Sequence, residues 1–205
     1  MKEIQGPAGR LEARLDRPTG AAAPKAVVVM ASPHPKRGGT MQDKVVYQAT
    51  QGFVRAGCVV LRFNYRGAGT SDGEFDDGPG EKDDYRAALA AAAREFPEMP
   101  IWAAGYSFGA YIAMNVGASD RRVTHLIGIG VVIDEKYDYA AVRTSEKPKF
   151  LLHGGLDEMS TAKAIRKFYG ELAEPRELVV IDDADHYFDG HTSEVADAIE
   201  DLLAE

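Results

Sequence analysis

A single cysteine, Cys58, leaves this chain of 205 residues unable to close an internal disulfide, so nothing in it demands an oxidising compartment. Cys58 itself opens an apolar run and reads as a small core residue. No apolar stretch is long enough to cross a bilayer. Met1 to Arg17 is polar and mixed in charge, without the apolar core of a signal peptide, and a cytoplasmic location is expected. Basic tracts are missing too. With 24 Lys and Arg against 32 Asp and Glu, the formal net charge is −8. A surface of that sign repels nucleic-acid phosphates and anionic lipid, so neither nucleic acid nor membrane is expected as a partner. The chain carries no internal repeat, low-complexity tract or interdomain linker, and residues 1–205 are expected to fold as one domain around one core.

What is present is an alternation of short apolar runs with longer amphipathic ones. Ala26 to Ala31 (AVVVMA) has no polar alternation, the pattern of a strand covered on both faces. Further strands are expected at Cys58 to Tyr65, Ile101 to Gly105, Val123 to Val132, Lys149 to His153 and Glu177 to Ile181. Helices are expected at about Asp43 to Ala56, Glu81 to Phe96, from near Ser107 onward, Ser160 to Leu172 and Ser193 to Leu203. Gly9 to Leu15 is expected to add an antiparallel hairpin arm. Such alternation makes an α/β fold, a three-layer α/β/α sandwich with helices on both faces of a mostly parallel sheet. Ligands bind such sheets beyond the carboxyl ends of the strands, so residues just after strands become the candidates.

One of those positions is Gly105-Tyr106-Ser107-Phe108-Gly109, a G-x-S-x-G between strand and helix. A sharp strand-to-helix turn strains the central residue, and small residues two positions away relieve the crowding. The serine hydroxyl is then held out above the sheet, where the Phe108 amide can donate to an oxyanion. Serine is a weak nucleophile and needs a base that a third group orients. In elbows of this kind the chain order is serine, acid, histidine. Of the histidines after Ser107, His186 lies in the loop after the last strand and is the expected base. His153, at the end of an apolar strand, reads as structural, and His191, at the start of the last helix, as a surface or capping residue. Asp157 follows His153-Gly154-Gly155-Leu156 and is the expected acid, with Glu158 and Asp134 as rivals. The acidic runs Asp182, Asp183, Asp185 and Asp72, Glu74, Asp76 lack a partner set or the required glycine, and no metal or cofactor is expected.

The loop Ser32-Pro33-His34-Pro35-Lys36-Arg37-Gly38-Gly39-Thr40-Met41 follows the first parallel strand. Together with Lys44-Val45-Val46, Asn64-Tyr65-Arg66-Gly67, Gly69, Ser71, Gly73 to Asp76, Gly80-Glu81, Asp84, the elbow, Asp157 and His186, it resembles the small, capless bacterial α/β hydrolases. These are relatives of dienelactone hydrolases and acyl-peptide-hydrolase-like esterases. The resemblance spans about Ala26 to the C-terminus. It implies an α/β-hydrolase fold and puts the second oxyanion donor in this loop. Pro35 stands where relatives carry glycine and has no N–H, so the implied donor is the Lys36 amide, with His34 bracing the loop. Arg66 to Ser71 is implied as scaffold beside the elbow. Serine replaces the cysteine of dienelactone hydrolases, which argues against that reaction. Ile133 to Pro148 is too short for a cap domain, so an open site is expected, with Tyr137 and Tyr139 as a rim at most. The implied activity is hydrolysis of a small ester through a Ser107 acyl-enzyme, in a monomer or homodimer. Thioester, amide or peptide cleavage with the same triad is the alternative, as is a non-catalytic ligand-binding or interaction protein on this fold.

Overall fold

The computed structural model describes residues 1–20 and 23–203. Eight strands form one sheet in the order β1-β2-β4-β3-β5-β6-β7-β8. They are β1 (Glu3–Gly6), β2 (Gly9–Asp16), β3 (Val27–Ala31), β4 (Val59–Phe63), β5 (Ile101–Tyr106), β6 (Val123–Ile129), β7 (Lys149–Gly154) and β8 (Arg176–Ile181). From β4 to β8 every neighbouring pair is parallel, whereas β1 with β2 and β2 with β4 are antiparallel. The expected hairpin arm is therefore real, and it includes Glu3–Gly6, which the sequence pattern did not mark.

All five residues of β3 are buried because the sheet is covered on both faces. Val27, Val29 and Ala31 join one apolar cluster, and Val28 and Met30 join the other, as the two-residue strand period requires. The first cluster is closed by α2 (Pro79–Glu95), α3 (Phe108–Ser119), α4 (Ala140–Thr144) and α5 (Ala162–Glu171). The second is closed by α1 (Lys44–Arg55) and α6 (Thr192–Leu202). Cys58 lies in this second cluster, and burial pushes its thiol up to about 11.

Local signals set the helix ends. Asp43 caps α1 by accepting from the Val45 amide at 2.8 Å, and Val45, Val46, Ala49 and Phe53 form its buried stripe. At the start of α2 the Glu81 carboxylate accepts from the Gly78 amide at 2.7 Å and the Asp76 amide at 2.9 Å. Between β6 and β7 stands only the five-residue α4, so no lid covers the carboxyl ends of the strands.

Candidate active site

Ser107, Asp157 and His186 come from three different strand ends and meet above the sheet. Ser107 sits between β5 and α3 with φ 56 and ψ −120, a left-handed conformation that a side chain rarely adopts. Close packing imposes it. A Cβ on Gly105 would strike the Gly109 carbonyl, and one on Gly109 would strike the Ala31 and Ser32 carbonyls. Only glycines let strand, turn and helix approach this closely. The Ser107 amide is spent on the Ile129 carbonyl at 2.9 Å, which fixes the turn to β6. Phe108 opens α3, so its N–H has no carbonyl one turn back inside the helix.

His186 Nε2 lies 3.0 Å from Ser107 Oγ, and His186 Nδ1 lies 2.7 Å from Asp157 Oδ2. A carboxylate only accepts, so Nδ1 carries the proton and Nε2 is left to accept from the serine hydroxyl. All three residues are buried, Ser107 at 8%, His186 at 4% and Asp157 at 3% exposure, and Ser107 and His186 line the cleft above them. Burial pushes the Asp157 carboxyl upward. The His186 hydrogen bond and charge and the Ser160 amide outweigh it, and the carboxyl is held below the ordinary value. Its other oxygen accepts from the Met159 and Ser160 amides at 2.8 and 2.9 Å.

Several further residues support these three. Tyr106, inside the G-x-S-x-G, donates its hydroxyl to the His186 carbonyl at 3.0 Å, and its ring stacks on the imidazole at 5.6 Å. His153, fully buried, donates Nε2–H to the Ser160 carbonyl at 2.6 Å and lies 3.5 Å from Asp157 Oδ2. Ser160 Oγ in turn accepts from the Ile133 amide at 2.6 Å. These bonds tie the acid-bearing turn after β7 to the segment after β6. The Ser160–Ile133 bond is a product of folding, since its partners lie 27 residues apart.

The rivals fall elsewhere. His191 Nδ1 pairs with Glu194 at 2.6 Å at the start of α6, and Glu158 is exposed. Asp134 borders the cleft, but its carboxylate accepts from the Lys136 amide at 3.0 Å. Tyr137 forms part of the rim as expected, whereas Tyr139 is buried beneath it with its hydroxyl on the Val132 carbonyl at 3.1 Å.

The oxyanion loop differs from the expectation for Lys36. The Lys36 amide donates to His34 Nδ1 at 3.2 Å, closing a single 3-10 turn over Pro35–Arg37, and Lys36 does not line the cleft. Arg37, Gly38 and Gly39 also spend their amides inside this turn. Between Pro33 and Gly39 the His34 amide is the one N–H without an acceptor among the described residues. His34 does brace the loop: its ring packs against Phe75 at 4.7 Å and Phe108 at 5.0 Å. Beside it, Arg66 grips the buried Asp84 carboxylate through Nε at 3.0 Å and Nη2 at 2.7 Å, which fastens the segment after β4 to α2.

The cleft over Ser107 has a volume of ≈ 220 Å³ and is lined by Pro33, His34, Phe108, Tyr137, Met159 and Tyr187 among others. Sites for drug-sized ligands run to roughly 300–1,000 Å³, so this one suits something smaller. A larger groove of ≈ 860 Å³ lies between β8 and α6 and holds none of the three residues. Its lining is rich in Asp and Glu, but among the described residues no three His, Cys, Asp or Glu side chains converge as metal ligands would.

Comparison with known proteins places the chain in a family and agrees with this fold. The model of the X-Pro dipeptidyl-peptidase (S15) family matches residues 8–140, a span that includes Ser107 and ends before Asp157 and His186. An uncharacterised protein of Rickettsia prowazekii is 36% identical over 208 residues, covering 98% of this chain and 87% of that protein. An α/β serine hydrolase homologue from Coxiella burnetii is 33% identical with a TM-score of 0.92, covering 98% of this chain and 95% of its own. A Xanthomonas campestris protein described as an α/β serine hydrolase without lid is 30% identical with a TM-score of 0.90, covering 98% and 92%.

Proposed function

This chain belongs to the X-Pro dipeptidyl-peptidase (S15) family and to the lidless α/β serine hydrolases, and on that premise we propose that it hydrolyses small esters through a Ser107 acyl-enzyme. The observation that carries this reading is the chain of two hydrogen bonds from Ser107 Oγ through His186 to Asp157.

In the first half-reaction the Ser107 proton passes to His186 Nε2 as Oγ bonds the ester carbonyl carbon. The carbonyl electron pair moves to oxygen, and the oxyanion lies against the Phe108 amide, with the His34 amide the one in its loop free to join it. The carbon–alcohol bond then breaks, and His186 hands its proton to the leaving oxygen. In the second half, water gives a proton to His186 while attacking the acyl carbon, and Ser107 Oγ leaves with that proton. Asp157 stays ionised throughout, holding the tautomer and balancing the imidazolium. The cleft volume favours a short acyl group, and no cofactor is needed for any step.

A second reading, cleavage of an amide, has one finding behind it: the matching family is described as a peptidase family. A p-nitrophenyl ester and a p-nitroanilide of the same short acyl group separate the two. The ester is expected to be turned over far faster. Ser107→Ala is expected to lower kcat on that ester by about 10⁴–10⁶-fold while the protein stays folded. Undiminished turnover in the variant would overturn the assignment.

A further inference from the structure

The protein is acidic, yet the lining of its cleft sets two cations against two carboxylates, Asp43 and Asp134. Arg37 and Lys136 both line it and both are exposed. Lys36 and Lys82 stand close behind. They come from three places in the sequence, and the three lysines sit on one aromatic cluster. Lys36 Nζ lies 5.9 Å from the Phe75 ring, Lys136 Nζ 4.7 Å from Tyr137, and Lys82 Nζ 4.7 Å from Tyr111. The rings touch in turn: His34 with Phe75 and Phe108, Phe108 with Tyr137, and Tyr137 with Tyr111.

No carboxylate of the described residues lies within 4.0 Å of any of these four cations. Asp43 and Asp134 line the same cleft, and the nearby acids keep their charge while bound to backbone amides. Asp43 caps α1, Asp134 accepts from the Lys136 amide, and both Glu81 oxygens accept from backbone amides. His34 lies at the same wall. Burial first, then the charges of Arg37 and Lys136, depress its basicity, and these outweigh the opposing pull of Asp77 and Glu81. Among the described residues Arg37 and Lys136 make neither an ion pair nor a side-chain hydrogen bond, so their N–H donors at the cleft are free to receive an anion.

We infer that the substrate of the Ser107 site carries a negative charge, a carboxylate or phosphate beyond its scissile carbonyl, which Arg37 and Lys136 receive at the mouth of the cleft. The inference rests on the hydrolase reading and narrows it.

The test uses matched esters. p-Nitrophenyl butyrate is compared with the mono-p-nitrophenyl ester of glutaric acid, which puts the charge on the acyl side. The methyl ester of 4-butyryloxybenzoate is compared with the free 4-butyryloxybenzoate, which puts it on the leaving side. The readout is the ratio of kcat/KM for the charged over the neutral ester, in wild type and in Arg37→Gln/Lys136→Gln. Taking a ratio removes both the intrinsic reactivity of the esters and any general loss in the variant. At ~0.01 M ionic strength, where charges act over ~30 Å, the ratio for at least one pair is expected to fall about 10-fold in the variant. Arg37→Lys/Lys136→Arg is expected to keep it. Ratios unchanged by the Gln substitutions for both pairs would overturn the inference and leave the hydrolase reading intact. No turnover of any ester by wild type, with Ser107 inert to a phosphonate, would overturn the hydrolase reading and this inference with it.

Discussion

The chemistry at the smallest scale is a matter of three side chains and what holds them. Two amides and an imidazole face the Asp157 carboxylate. Its carboxyl is held below the ordinary value, so it contributes stability at pH values above the unfolded carboxylate pKa of ~3.9. That contribution is lost as pH falls through the lower, folded value. Asp157→Asn is therefore expected to flatten the acid limb of a stability–pH curve followed by denaturant unfolding, and to lower kcat by about 10³–10⁴-fold at neutral pH through loss of the tautomer. A variant with the wild-type acid limb would show that the carboxylate is not held as described. Ser107, Asp157 and His186 were legible in the sequence because an elbow, a chain order and strand ends select them. Lys36 was not placed correctly, because whether an amide is free depends on the side chain beside it, and His34 Nδ1 takes that N–H. His153 was legible as structural, whereas Tyr106 and Ser160 gave no sign, since the His186 carbonyl and the Ile133 amide they bond come from distant segments.

At the scale of elements, the turn between β5 and α3 concentrates the design. It brings the first turn of α3 against the end of β3, and the contact leaves no room for a Cβ at Gly109. Gly109→Ala is expected to cost about 1–3 kcal/mol of stability, measured by thermal or denaturant unfolding, and to lower activity by moving the Phe108 amide. A variant as stable and active as wild type would mean the elbow is looser than it stands here. Long elements with strong periodic signals fell close to their expected bounds, as α1 between Asp43 and Gly57 does, because a cap and a C-terminal glycine mark both ends. Short ones were missed. β1 has four residues and exists through its pairing with β2, and α4 has five, settled against α3 by its buried Val142. Neither is long enough to carry a period.

For the whole molecule, parallel strands buried on both faces made the layered α/β plan readable from hydrophobic runs alone. The strand order was not readable, since it depends on which crossovers return to which side of β3. The same limit applies to charge. The sequence has no basic tract, and the four cations near the cleft are separated by up to a hundred residues before the sheet assembles them. No helix among the described residues is long and apolar enough to cross a membrane, in line with an acidic, evenly mixed composition. What the fold achieves at this scale is one buried, strained serine at the carboxyl edge of a rigid sheet, reached through a small open cleft. The most direct measurement of that claim is intact-mass analysis after exposure to a fluorophosphonate, with the adduct mapped to a peptide. A single adduct on Ser107 in wild type, lost in both Ser107→Ala and His186→Ala, is the predicted result. A folded wild-type protein that takes no adduct, or takes one on another serine, would contradict it.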